Sequence, residues 1–462
     1  MENHLLIRAY RVGCGDCIYV RIPEGDDGFH ILIDCGKKGD DDLLEQAIKH
    51  LETQLPKGDA GKRRLDLIVA THRHEDHIKG FDERWFKNIQ VKNVWLSAVM
   101  DPKHPQAEKA QKLHAFADAE MRRLALSGRA LSPQVQILVS AYGVNNDAAD
   151  DFLMKTLAEA NHITPQFVHA GQTSKQLGLD LEDATIHVLA PEEDIDGFYL
   201  GSDFDPTLKG VQDGGLRGEP RTEPVETPVP KNIGAGDFRR LQSGMLSNSL
   251  AFAAKDTTIQ NNMSVVLLIE WKGRRLLFVG DAEWDREFKE GKDNGSWNVM
   301  WERRREHLLE PLDFLKIGHH GSVNATPPVA EHQPKPKNGA VDPGEKSIYR
   351  LLDSILPPPK GNEKPTAQAI VSTEREFYPT IPDCSVLADL ARRVSNTRDY
   401  GAAFGKKKID PQGIWVSEKA KRLKFFETYE AGFLNHRQPL RTDLEFALGE
   451  EFFVDVEIPP GK

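Results

Sequence analysis

Thr71-His72-Arg73-His74-Glu75-Asp76-His77 decides how this chain is read. The stretch follows Leu65-Asp66-Leu67-Ile68-Val69-Ala70, a short apolar run that predicts a buried strand. His72, His74, Asp76 and His77 therefore fall within six residues at the end of a rigid element. A divalent ion needs imidazole and carboxylate donors held in that way. Residues i and i+2 on an extended turn point the same way, so His72 and His74 are expected to share one ion. Asp76 and His77 sit where the next helix would start and are available to a second. Two ions about 3.5–4 Å apart can activate water held between them. A lone histidine is more often structural than catalytic, but three with an aspartate at this spacing point to metal.

Outward from that segment, the N-terminal hundred residues read as strands with one helix. Leu5–Val12, Cys17–Ile22, Phe29–Ile33 and Val94–Leu96 are strand-like. Asp41–Leu55 places Leu43, Leu44, Ala47, Ile48 and Leu51 on one helical face. Residues 107–161 read as mostly helical, with strands returning at Phe167-Val168 and Ala184–Leu189. Residues 194–244 turn polar and rich in Gly and Pro, which predicts an insertion, lid or disordered segment. Met263–Glu270 and Arg275–Val279 then form a hairpin about Lys272-Gly273, and its second strand ends at Gly280-Asp281. A helix is expected over Trp284–Leu309. Phe314–Ile317 is another strand, running into Gly318-His319-His320-Gly321-Ser322. A Pro-rich loop covers 327–344, with helices over Lys346–Leu356 and Cys384–Val394 and a strand at Ala369–Ser372. Three strand-like pieces (Gly413–Val416, Leu423–Glu427 and Phe452–Ile458) follow. The division expected is a hydrolase domain over 1–400 and a C-terminal β extension over 401–462.

The His72–His77 segment matches the H-x-H-x-D-H motif and resembles the metallo-β-lactamase superfamily. That resemblance implies an α/β fold, a four-layer αββα sandwich, here with inserted loops and the C-terminal extension. It implies further site residues. Asp34, in Leu32-Ile33-Asp34-Cys35-Gly36, resembles the early aspartate that braces the histidine loop. Asp281 resembles the late aspartate that bridges both metals, and His319 or His320 the last histidine of the second metal. Asp76 and Asp281 are the acidic residues placed at the chemistry. Gly80 lies where a glycine often follows the motif. Within the superfamily the sequence is similar to the metallohydrolase domain of the competence protein ComEC and its soluble relatives. Val12-Gly13-Cys14-Gly15-Asp16, Asn262-Met263-Ser264 and Lys316–Ser322 carry that likeness, over about residues 5 to 375.

The sequence departs from the pattern in three places. A third histidine for the first metal usually lies between the motif and the bridging aspartate. Here His169 and His187 fall in that interval; His169 follows a strand and precedes Ala170-Gly171, yet a strand-end surface histidine is as good a reading. The late histidine before proline is replaced in Glu376-Phe377-Tyr378-Pro379. The membrane channel of ComEC is absent, so no transport role carries over.

Composition narrows the partners. The 462-residue chain has a formal net charge of −11, which gives no general attraction to nucleic acid. The basic runs Lys62-Arg63-Arg64, Arg303-Arg304-Arg305, Lys406-Lys407-Lys408 and Lys419–Lys424 read first as solvated surface. The longest apolar run, near Ser264–Trp271, is far short of the ~20 residues of a spanning helix. With no secretory signal visible and four cysteines in all, cytoplasmic residence is the default expectation. Cys14-Gly15-Asp16-Cys17 matches C-x-x-C, but it lies between strands without a second pair, so ordinary strand cysteines are expected. Asp16 either lines the site or does not. Ser322 either donates to substrate or caps the next segment. Trp95, Trp284 and Trp301 are expected in the core.

The site then admits three uses. Two divalent ions, zinc first and manganese as the alternative, would drive hydrolysis of phosphodiester bonds in a nuclease or phosphodiesterase acting on nucleic acid or a smaller diester. The same centre would serve a small carbonyl substrate such as a lactone, thioester or β-lactam. The insertions and C-terminal extension would alternatively mark an effector or regulatory subunit that binds a protein partner.

Overall fold

The computed structural model describes residues 3–39, 42–127, 131–142, 146–201, 235–328, 347–374 and 453–461, with residues 434–435 and several between 381 and 396. Fifteen strands are found among them. The first half of the chain supplies β1 (Leu5–Tyr10), β2 (Cys17–Ile22), β3 (Phe29–Cys35), β4 (Arg63–Leu65), β5 (Leu67–Ala70), β6 (Ile89–Val91), β7 (Val94–Ser97) and β8 (Gln166–Val168). The second supplies β9 (Ala184–Ala190), β10 (Val266–Trp271), β11 (Arg274–Phe278), β12 (Phe314–Ile317), β13 (Gln368–Ser372), β14 (Leu434–Asn435) and β15 (Phe453–Ile458).

Two large sheets result, with strand orders β15-β1-β2-β3-β5-β7-β8 and β14-β13-β12-β11-β10-β9. Each is antiparallel on one side and parallel on the other. Strands β15, β1, β2 and β3 alternate in direction, whereas β3, β5, β7 and β8 run parallel. In the second sheet β9, β10 and β11 alternate and β11 to β14 run parallel. The short pair β4–β6 stands apart.

Period-two patterning explains how the sheets stack. In β1, Leu5, Ile7 and Ala9 join a core that also holds Leu267, Ile269 and Trp271 of β10, so this face meets the opposite sheet. Leu6 and Tyr10, pointing the other way, pack with Leu44, Ile48 and Leu51 of the helix Asp42–Gln54. The outer face of the second sheet, with Leu268, Leu277, Leu315 and Val371, packs on Trp297, Met300, Leu351 and Leu352. Helices thus cover both outer faces, completing the four layers αββα. Strands buried on both faces must be apolar nearly throughout, which is why they read as continuous hydrophobic runs. Each of these buried aliphatic side chains contributes about 1.5–3 kcal/mol as an upper range. Trp95 lies in the inter-sheet core and Trp301 in the outer one, while Trp284 is partly buried against the latter.

The C-terminal extension contributes edge strands to both sheets. β15 pairs with β1 from Leu5↔Ile458 to Tyr10↔Phe453, and β14 pairs with β13. Residues 413–416 and 423–427, and the Pro-rich 329–346, lie outside the described residues. Of the polar stretch 194–244, residues 202–234 also lie outside; its start is a helical turn, Asp196–Leu200, and its end opens the long helix Ala235–Asn262. The expected helix over Trp284–Leu309 is shorter: Gly291 and Gly295 hold the chain open until Ser296, and the helix runs only to Arg303.

Candidate metal centre

The site forms where the parallel strands of both sheets end at their carboxyl termini. β5 stops at Ala70, Thr71 extends the backbone, and His74 opens a one-turn helix, Glu75–Ile78. His72 and His74 therefore precede that turn, while Asp76 and His77 lie on it. All four are buried.

Asp34, next to the parallel β5 at the end of β3, braces this loop. Its carboxylate accepts from the Thr71 backbone N–H, the Thr71 hydroxyl and His77 Nδ1, each at 2.7 Å. It adopts φ +56° to do so. The space beside it leaves room only for glycine: a Cβ at Gly36 would lie 2.2 Å from His77 N, and one at Gly15 2.2 Å from Gly36 O. The Cys14-Gly15-Asp16 loop consequently lies flat on the motif. The Asp16 N–H donates to Asp76 O at 2.9 Å and the Gly36 N–H to Asp16 O at 2.8 Å.

The second sheet supplies the opposite wall. Asp281 follows β11 through Gly280; its N–H donates to Ser264 Oγ at 3.1 Å, and its Oδ1 accepts from the His319 N–H at 2.9 Å. After β12, His319 and His320 both take positive φ, 43° and 52°. This tight turn sends the two rings to different places. His320 donates from Nδ1 to the Ser372 carbonyl at 3.0 Å and presents Nε2 to Asp76 Oδ2 at 2.9 Å. His319 stays on the rim, one-quarter exposed, with Nδ1 3.2 Å from Glu283 Oε1 and 3.0 Å from Ser322 Oγ.

Four groups of donors converge. His72, His74 and Asp281 form one; His77, Asp281 and His320 form another; Cys14, Asp76 and His320 form a third, and Asp16, Asp34 and His77 a fourth, each with its ligand atoms within 4.8 Å of one another. Asp281 stands between the first two, its Oδ1 3.2 Å from His77 Nε2 and its Oδ2 3.8 Å from His72 Nε2. His169 is in none of these groups. It is half-buried after β8, its Nδ1 facing Ala170 O at 3.1 Å. His187 sits mid-strand in β9 and faces Glu270 at 3.2 Å. Residues 375–380, which include Tyr378-Pro379, lie outside the described residues.

A model of the metallo-beta-lactamase superfamily matches residues 11–236. This chain has the metallo-β-lactamase fold. No curated protein matches it. Among solved structures it is similar to a protein of unknown function from Enterococcus faecalis V583, with 10% identity, a TM-score of 0.28 and coverage of 68% of this chain. The chain spans about half (49%) of the length of that structure. It is also similar to unliganded yeast PDE1, with 10% identity, a TM-score of 0.32 and coverage of 80% of this chain and 88% of the other.

The donor set of this metallo-β-lactamase fold suits a pair of metal ions. His74 Nε2, His77 Nε2 and Asp76 Oδ1 are buried and lack a hydrogen-bond partner. Buried polar atoms are ordinarily satisfied, so these are positions where a cation fits. Burial pushes His72 well below the usual imidazole range and His74 down to about 4, which leaves both as the neutral, ligating form. His77 is the reverse case: burial opposes its charge, but Asp281 and Asp34 win and raise it. Burial likewise disfavours the charged Asp76, yet Lys38 and His320 hold it well below the usual carboxylate range. This donor set is consistent with a metal-dependent hydrolase.

Several residues at this centre had weak or misleading sequence signals. Lys38 pairs with Asp76 at 3.2 Å, and Lys316 with Asp16 at 2.7 Å, both pairs deeply buried. Asn261 donates to Glu283 at 2.8 Å, and its Nδ2 lies 3.5 Å from His319 Nε2. Asp16 thus lines the site. Cys14 was expected to be an ordinary strand cysteine; it sits instead in the loop before β2 and faces Asp76 and His320. The flanking Val-Gly and Gly-Asp were the signal that could have found it. The basic runs within the described residues are occupied by their own chain: Arg64 meets Asp66 at 3.0 Å, Arg304 meets Glu192 at 2.7 Å, and Arg305 covers the Trp301 ring.

Proposed function

We propose that this chain is a two-metal hydrolase of phosphodiester bonds, with zinc as the preferred ion and manganese as the alternative. The observation that carries this reading is the sharing of Asp281 between the His72–His74 group and the His77–His320 group. His72, His74 and Asp281 would hold one ion, and Asp76, His77, Asp281 and His320 the other. The likeness of the V-G-x-G-D, N-x-S and H-H-G-S segments to the ComEC hydrolase domain supports a phosphodiester as substrate.

Two divalent ions supply the positive charge that polarises a phosphoryl oxygen and brings the pKa of water toward neutrality. The chain's own residues set the geometry for that chemistry. Asp34 fixes the His77 ring by accepting a hydrogen bond from Nδ1–H, so Nε2 is turned to Asp281. The Ser372 carbonyl does the same for His320. Ser264 Oγ, 3.3 Å from His72 Nδ1, also receives the Asp281 N–H and ties both walls together. His319, left outside the four donor groups and partly open to solvent, is assigned the proton that the leaving oxygen requires, with Glu283 and Ser322 orienting its ring.

Hydrolysis of bis(p-nitrophenyl) phosphate, linear DNA and RNA with added zinc or manganese tests this reading. The wild type should cleave at least one of them. His72→Ala/His74→Ala and Asp281→Ala should lose cleavage together with metal, and His319→Gln should lose cleavage while keeping both ions. Fully metal-loaded protein that leaves every diester intact but opens a lactone or thioester would overturn the phosphodiester assignment in favour of carbonyl chemistry.

A further inference from the structure

We propose that Cys14 is a ligand of the second metal, making that half of the centre a thiolate site. The proposal rests on the two-metal reading above and adds a donor that the H-x-H-x-D-H pattern does not contain.

Cys14 is fully buried, and its sulfur, the Asp76 carboxylate and the His320 imidazole lie within 4.8 Å of one another. A structural cysteine in a core would be surrounded by apolar atoms; this one is set against an acid and an imidazole. Asp76 Oδ1, in the same group, is buried without a hydrogen-bond partner. The backbone of Cys14 is held from both sides. Its N–H donates to Glu374 Oε2 at 3.1 Å, and its carbonyl accepts from the Lys38 N–H at 2.8 Å. Gly13 at φ +94° and the close approach of Gly15 to Gly36 bring the loop this near to the motif. The other half of the C-x-x-C pattern goes elsewhere: Cys17 Sγ faces Cys35 Sγ at 3.9 Å on the neighbouring strand. Cys14 is thus separated from its sequence partner and placed among nitrogen and oxygen donors of a metal group.

A coordinating thiol gives up its proton to solvent and binds as thiolate. Thiolate is a soft donor that favours zinc and cobalt over manganese and magnesium. Cys14 would therefore select the metal at this site.

Cobalt(II) substitution of the full chain reads the bond directly. Wild-type protein should take up cobalt with visible ligand-field bands and, in addition, an intense sulfur-to-cobalt charge-transfer band in the near ultraviolet. Cys14→Ser should keep the visible bands and lose the charge-transfer band, and its zinc affinity by chelator competition should fall roughly tenfold or more, with manganese affinity little changed. X-ray absorption of the zinc-loaded wild type supplies a test independent of any variant, with sulfur scattering expected at about 2.3 Å. Cobalt bound without the charge-transfer band, or a band that persists in Cys14→Ser, overturns the Cys14 assignment and leaves the two-metal reading standing. No cobalt or zinc uptake by the wild type overturns both.

Discussion

At the scale of single residues, the centre depends on groups that never touch a substrate. Asp34 accepts three hydrogen bonds from the motif loop, and one of them fixes which nitrogen of His77 faces inward. Asn at this position tolerates the positive φ but cannot accept all three bonds with a full negative charge. Asp34→Asn should weaken zinc binding about 10–100-fold, as loss of such an outer partner typically does, while the fold persists. Chelator competition beside far-ultraviolet circular dichroism measures both; unchanged affinity would show that His77 is oriented by something else. His72, His74, Asp76 and His77 were legible because they are local to one turn, whereas the bracing by Asp34, 37 positions before Thr71, was implied only by the resemblance to the superfamily. The choice between His319 and His320 was not legible. It is made by two consecutive left-handed residues and by a carbonyl at Ser372, fifty-two positions away. Cys14 was hidden for the same reason, since its neighbours Asp76 and His320 come from distant parts of the chain.

At the scale of elements, strands were easier to read than helices. The apolar runs of β1, β5, β10 and β12 carry their own boundaries. The helix Ala235–Asn262 did not, because Gly236 and Gly244 and the polar residues around them resemble loop composition, while its buried positions among the described side chains, Ser249, Ala253, Asp256, Ile259, Gln260, Asn261 and Asn262, include five polar ones. One of these polar residues joins three helices. Asp256 meets His114 of the helix Ala107–Ala125 at 2.8 Å and accepts from Tyr142 of the helix Pro133–Tyr142 at 2.9 Å. Burial alone would lower the His114 pKa, and Arg73 also lowers it; Asp256, with help from Asp150, outweighs them and raises it. The folded protein thus holds a proton that the unfolded chain releases near the ordinary value of 6.5. The resulting stability is complete below that pH and disappears as pH rises through the elevated folded value. The difference in unfolding midpoint between wild type and His114→Asn should be largest near ~pH 6 and shrink toward ~pH 9. A difference that is constant over this range would mean that the ring acts only through packing.

At the scale of the whole molecule, the first sheet is completed by the last strand of the chain. β15 pairs with β1 over six residue pairs, and Val456 and Ile458 enter the core between the sheets. Arg8 joins the same junction, donating from Nε and Nη2 to the two oxygens of Asp455 at 2.7 Å and stacking 3.8 Å from the Phe453 ring centroid. This partner was not readable from β1 itself, whose apolar sequence fits a central or an edge strand equally well; the alternation in Phe453–Ile458 shows a strand but not where it pairs. Deleting residues 453–462 would expose the edge of β1 and remove two inter-sheet side chains. At about 1.5–3 kcal/mol each, those two alone represent roughly 3–6 kcal/mol as an upper range, a large part of a typical domain's margin. An uncovered apolar edge also invites pairing with another chain. The truncated protein should therefore show a markedly lower urea midpoint and concentration-dependent association, whereas Asp455→Asn in the full chain should lower the midpoint far less and remain unassociated. The candidate metal centre lies at the parallel ends of the sheets, on strands remote in order from β15, so at low temperature and low concentration the truncated protein should still take up the ions of the proposed two-metal site. Loss of metal binding under conditions where its circular dichroism is native would mean that closure of the first sheet by β15 is needed to hold β3 and β5, and with them Asp34 and His72, in register.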